Sequence, residues 1–185
     1  MGKIKVWTRQ HKSVLEKVQE NGRYIAKRDY IYMDLKEHAR LVLEVYDWLV
    51  KNSPNAGDTP EDVEYPVWVS FEEDRTYAAG DDGVIFELTI DEEMVAPVNI
   101  AKWGAILNYS YIPADKEDAK QHKELLEMYG VDDAKAYMTQ FYPAIKKEIV
   151  VSWKRLFDEN VKLGNDLKYG IIWEIRKEWV TKIIQ

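Results

Sequence analysis

Seven tryptophans run from Trp7 to Trp179 through 185 residues that contain no cysteine, and this pairing is the strongest constraint on the fold. Without thiols the chain has no disulfide to close a small core, no thiolate nucleophile and no cysteine metal site. It must be held by packing, and each buried indole removes roughly 150–250 Å² from water. Trp48, Trp103 and Trp153 fall on helical or turn segments and are expected as core anchors. Trp173, among Ile171, Ile172 and Ile175, is expected to face the core as well. Trp7 and Trp68 differ. Each shares a strand face with polar neighbours, Lys5 and Arg9 in one case and Ser70 in the other, so each could line a pocket and stack on a planar ligand.

Length and composition favour one domain over residues 1–185 with a sizeable core. Apolar residues make up 46% and charged residues 32%, enough for both a core and a hydrated surface. A net charge of −7 argues against the broad cationic surface that phosphate backbones need, so nucleic acid is not the expected partner. The start, MGKIKVW, lacks the apolar stretch of a signal peptide, and no run reaches the ~18 apolar residues of a membrane span. A cytoplasmic location is the expectation.

Hydrophobic periodicity gives the element order. Residues 3–9 alternate as a strand, with Ile4, Val6 and Thr8 on one face and Lys5, Trp7 and Arg9 on the other. Ser13 and Glu16 have capping-box spacing before a helix with Val14, Leu15 and Val18, and Gly22 stops it. A helix is expected over 34–52, a polar loop over 53–64 and a strand over 65–71. A turn-rich stretch over 79–83 leads to a half-buried strand over 84–90. Further on come a short strand over 94–98, a helical turn over 99–108, and a charged helix over 114–129 ending at Gly130. A helical stretch over 132–160 is divided at Pro143, a strand spans 170–176, and the tail 178–185 packs or frays. Short strands with long helical insertions indicate an α+β fold with a small, mostly antiparallel, possibly split sheet. Neither GxGxxG nor GxxxxGK occurs.

His11, His38 and His122 have no histidine or carboxylate at metal-ligand spacing on a shared helix face, so no metal site is expected, and His122 is expected at the surface of a charged helix. Glu174 sits in the apolar run Gly170–Ile175. There it faces solvent, pairs with an arginine or works in a pocket as a weak catalytic candidate. The polar run Trp7-Thr8-Arg9-Gln10-His11 lies where the first strand ends. Arg9 could clamp a phosphate or carboxylate, and Thr8 or Gln10 could bond a nucleobase or amide; alternatively they cap the next helix.

The segments WTRQ, YDWLV, YPVWVSF, LTIDEEMV, KWGAILN, SWKRLFD and the final WEI resemble, in this order, a bacterial domain-of-unknown-function family numbered 3841, over Val6 to about Ile183. A second resemblance is to the ADP-ribosyltransferase superfamily. There a motif-bearing first strand precedes a helix ending in glycine, as Trp7-Thr8-Arg9 precedes Gly22, and a middle strand carries a serine or tyrosine motif, best matched by Trp68-Val69-Ser70. That resemblance implies a split sheet, NAD as a cofactor, and a cleft near Thr8, Arg9, Gln10, Trp68, Ser70 and Tyr169. The chain departs from it in two places: Thr8 stands at the opening histidine position, and Tyr169 falls where the catalytic glutamate is expected. Two functions follow: an ADP-ribosyltransferase-like enzyme or nucleotide-binding protein with a degenerate motif, or a non-catalytic domain that binds or inhibits another protein.

Overall fold

The computed structural model describes residues 2–29, 39–76 and 82–185. His38, residues 34–38 of the expected second helix and 79–81 of the expected turn lie outside them. The fold is α+β, with six helices and eight strands among the described residues. The chain forms two compact units: residues 1–97 with 168–185, and residues 98–167.

In the first unit, β1 (Lys3–His11) pairs antiparallel with β4 (Gly83–Asp91) from Lys3↔Asp91 to His11↔Gly83. The tail does not fray: β8 (Val180–Ile184) pairs on the far side of β4. β4 is buried on both faces from Gly83 to Leu88, not half-buried as its alternation suggested. Val84, Phe86, Leu88 and Ile90 meet Val6 on the core side. Glu87, on the opposite face, is held by Lys5 at 2.9 Å and by the Thr181 hydroxyl at 2.9 Å. The Lys5 hydrogen bond, with that of Thr181, lowers the Glu87 pKa against the opposing effect of burial.

Helix α1 (Lys12–Asn21) lays Val14 and Val18 on this core. Its cap is not the expected Ser13. His11 is the N-cap, and its Nδ1 accepts the Ser13 N–H at 3.2 Å. Gly22 closes the helix at φ 76°, where a side chain would be strained. Helix α2 (Ala39–Asn52) buries Ala39, Leu43, Val45 and Leu49, and Ala39 and Leu43 cluster with Tyr65. Trp48 is only half-buried. The expected strand over 65–71 contracts to β3 (Val67–Val69), continued by a single bridge between Ser70 and Trp7. β6 (Lys168–Ile172) lies between β3 and β5 (Ala96–Asn99). The expected single strand over 170–176 breaks at Trp173-Glu174, and the chain resumes as β7 (Ile175–Arg176), paired with β2 (Arg23–Tyr24) in a different sheet.

The second unit is helical. Residues 99–108, expected as one helical turn, form α3 (Ile100–Leu107), capped by Asn99. Helix α4 (Lys116–Tyr129) starts at its Asp115 cap and stops at Gly130, φ 61°. The division expected at Pro143 is real: α5 (Asp133–Met138) ends before it, and Pro143 opens α6 (Pro143–Ser152), where its missing N–H removes no helix bond. Trp103 and Trp153 are core anchors as expected, 4% and 1% exposed. Tyr109 adopts φ 57°, uncommon for a bulky residue, and its ring stacks on Tyr137 at 4.7 Å. No described helix is long and apolar enough to cross a membrane.

Candidate functional site

Five of the sequence candidates meet where β1 runs beside β3. The backbones of Trp7 and Ser70 exchange two hydrogen bonds, of 2.9 and 2.7 Å. Thr8 is buried, and its hydroxyl donates to the Trp68 carbonyl at 2.8 Å while accepting from Gln10 Nε2 at 2.8 Å. The Ser70 hydroxyl donates to the Glu72 carbonyl at 2.7 Å and accepts the Glu72 N–H, forming a local turn. Trp68 and Trp7 are half-buried. The Trp68 indole hydrogen-bonds Tyr46, whose pKa burial raises and this bond opposes. Trp7 Nε1 is buried without an acceptor. Tyr169, one step beyond the Val69↔Gly170 pair, donates its hydroxyl to the Arg75 carbonyl at 3.2 Å. Thr8 and the Trp7–Ser70 bridge tie β1 to the β3 segment, Tyr169 ties β6 to the turn after β3, and the three hydroxyls are engaged by the protein itself.

Arg9, Gln10 and His11 reach a separate cleft of about 540 Å³ at the shared end of β1 and β4, with Asp82 and Gly83. Its size suits a small molecule. Its lining includes a guanidinium and a carboxylate, which offer donors and acceptors to a polar ligand. The first N–H groups of α1 face protein acceptors here: Lys12 N–H bonds the Asp82 carbonyl at 3.0 Å, and Ser13 N–H bonds His11.

Glu174 stands apart from both groups and is not on a strand. Only 4% exposed, it lies in the bend between β6 and β7. Arg176 Nε approaches one carboxylate oxygen at 2.6 Å and Arg23 Nη2 the other at 2.6 Å. A buried carboxylate must be paired, and of the three outcomes the sequence left open, the arginine pair is realised. The same cluster lines a cleft of about 340 Å³ with Asn21, Gly22, Pro60 and Glu178. Asp62 grips Arg23 from the other side at 2.9 and 3.2 Å. Burial works against the Arg23 charge, but the Asp62 hydrogen bond and the Glu174 charge outweigh it, so its pKa is raised.

His122 is the main site correction. It is 8% exposed, not at the surface. Its ring stacks on Tyr111 at 3.9 Å, and Nε2 meets Asp133 at 2.6 Å. The Tyr111 hydroxyl donates to Asp118, which also takes Arg155 at 2.8 Å and the Ala114 N–H at 2.7 Å. Burial opposes the Asp118 charge, yet the Ala114 N–H and these partners together lower its pKa. Lys102 was also missed: 3% exposed, its ammonium donates to the carbonyls of Arg155 and Asp158 at 2.9 and 2.7 Å. The apolar company of Lys102 in KWGAILN was the available signal. Among the described residues no group of three or more histidines or carboxylates gathers as a metal cage.

The most exposed large apolar residues among those described lie in the second unit. Met128 and Phe141 are 78% and 82% exposed, and Tyr129 and Met138 are over half exposed. Tyr129 and Tyr142 meet edge to face at 6.3 Å, which brings the end of α4, where Met128 lies, beside the start of α6, which Phe141 precedes. Comparison with curated proteins and with solved structures returns no match. The model of the family described as Domain of unknown function (DUF3841) matches residues 5–181.

Proposed function

We propose that this chain, which belongs to the DUF3841 family, is a non-catalytic protein-interaction domain that docks a partner through the Met128–Tyr129–Phe141 surface. One observation carries this reading: Met128, Tyr129 and Phe141 are each more than half exposed, and the Tyr129–Tyr142 ring contact sets the end of α4 beside the start of α6. Aromatic residues and methionine are enriched at protein interfaces, and methionine adapts to varied apolar partners. A contiguous exposed apolar patch commonly marks such a contact. The bonds that engage Thr8, Ser70, Tyr169 and Glu174 within the fold support a non-catalytic role.

The test is photo-crosslinking from position 128 in the cells the protein comes from. A discrete adduct is expected, reduced about tenfold or more by Phe141→Glu, as loss of an aromatic hot spot would do. An adduct pattern unchanged by Phe141→Glu, in a variant of unchanged melting temperature, would overturn the reading.

A second reading, a nucleotide-like ligand such as NAD, is favoured by the Arg9–Gln10–His11 cleft. The fit is partial: Arg9 suits a phosphate and Asp82 a ribose hydroxyl, but neither Trp7 nor Trp68 is among the described lining residues. Binding would raise the thermal midpoint in millimolar NAD, and Arg9→Ala would remove the rise. No rise with the unsubstituted protein sinks this reading and leaves the first untouched.

A further inference from the structure

Helix α6 buries Ile145, Ile149 and Ser152 in the second unit. Its other side is exposed at Ala144, Lys147, Glu148 and Val151. Residues three, four and seven apart share one face of an α-helix, so these four form a single stripe. The chain runs directly from α6 into the 3-10 turn Trp153–Phe157, and exposed Lys154, three residues past Val151, continues the stripe. At about 3.6 residues per turn, Ala144 and Val151 lie along its middle, Lys147 and Lys154 along one edge and Glu148 along the other.

Val151 is 57% exposed. A β-branched side chain is a weak helix former, and at a surface position propensity rather than packing decides, so valine there works against the helix. Such a local conflict points to a role outside the fold. The charges beside it are also unmatched. Among the described residues, Lys147, Glu148 and Lys154 make no ion pair. On α4, by contrast, Lys120 and Lys123 each reach a glutamate one turn on, at 3.9 and 3.7 Å. Arg155 holds Asp118 at 2.8 Å and Lys146 lies over the Tyr137 ring, so neither belongs to the stripe. Two helices packed side by side bury an apolar seam and set the charges at its edges against opposite charges on the partner. An apolar seam with a lysine edge therefore fits a helix that carries its own seam and a carboxylate edge.

We propose that α6 receives an acidic amphipathic helix of a partner protein, its apolar seam on Ala144 and Val151 and its carboxylates opposite Lys147 and Lys154. The proposal rests on the reading that the second unit docks a protein and names the chemistry of that partner. Phe141, 82% exposed just before α6, sets the docking surface at the start of the stripe.

The probes are two three-heptad peptides with leucine at the seam positions, one edged with glutamate and one with lysine, each titrated with the full chain by fluorescence anisotropy. The glutamate peptide should bind saturably and about tenfold or more tightly than the lysine peptide, because attraction at two edge positions gives way to repulsion. Its affinity should fall as salt rises. Lys147→Glu combined with Lys154→Glu should reverse the preference, and Val151→Glu should abolish binding. All three positions are exposed, so an unchanged melting temperature is expected of these variants. No saturable binding of the glutamate peptide, equal affinity for the two peptides, or a preference unchanged by the double lysine variant would each overturn the proposal. Tighter binding to phosphatidylserine vesicles, lost in Val151→Glu, would overturn it in favour of an anionic lipid surface. A dimer of the full chain in sedimentation equilibrium, lost in Val151→Glu, would overturn it in favour of a second copy. If the Phe141-dependent adduct from position 128 formed while the glutamate peptide failed to bind, this proposal would fall and the docking reading would stand.

Discussion

Trp153→Ala should destabilise the helical unit by ~3–5 kcal/mol, the usual range for truncating a buried tryptophan. The ring is 1% exposed and tilts against Tyr137 at 5.4 Å. Its Nε1 donates to the Ser110 carbonyl at 2.9 Å, tying the start of the 3-10 turn Trp153–Phe157 to the loop after α3. Tyr137 in turn stacks on Tyr109, the residue with the positive φ. Removing the indole therefore opens a cavity and also loosens the stack that accompanies an unfavourable backbone conformation. Trp153→Phe separates the contributions. It keeps an aromatic ring in the site and loses the hydrogen bond, and should cost well under the alanine change because a net hydrogen bond is worth only about 1 kcal/mol. Urea unfolding monitored by far-UV circular dichroism measures both. If Trp153→Ala and Trp153→Phe moved the midpoint equally, the hydrogen bond rather than the packed ring would be the anchor.

The features readable from sequence are those set within a few residues. Ile4, Val6 and Thr8 alternate with Lys5 and Arg9, and β1 follows. Gly22 and Gly130 end their helices because the left-handed cap position favours glycine. The candidate site was half legible for the same reason. That Thr8 and Arg9 face opposite ways is local, whereas the Trp68 carbonyl that engages Thr8 lies sixty residues on. Glu174 shows the limit most clearly. Its run of isoleucines looks like one strand, but the strand breaks there because the chain changes sheets, and of the two arginines that pair with it one, Arg23, comes from distant β2. His122 failed likewise: α4 reads as a solvated helix until Asp133 and Tyr111 fold against it. Trp7 and Trp68, singled out as pocket walls, join the seam between β1 and β3 instead.

Gly170→Val should destabilise the first unit by ~3 kcal/mol or more, and Gly170→Ala by ~1–3 kcal/mol, through overpacking. The backbone at 170 is an ordinary strand paired with Val69, so glycine is not needed there for its dihedral freedom. On that ground alone alanine would stabilise, by about 0.4–1 kcal/mol, through a less flexible unfolded chain. Space decides against it. An added Cβ falls 2.8 Å from Val69 Cγ2 and 3.2 Å from Phe71 Cζ, and nearer than either to Val95 Cγ1. Val69 is 1% exposed and Val95 7%, so neither has open space to retreat into. The cause is testable by a double-mutant cycle. Val95→Ala removes the closest methyl and should be destabilising alone, but Gly170→Ala combined with it should cost less than the sum of the two, because each relieves the other. Strict additivity would mean that the clash with Val95 is not what excludes a side chain at 170.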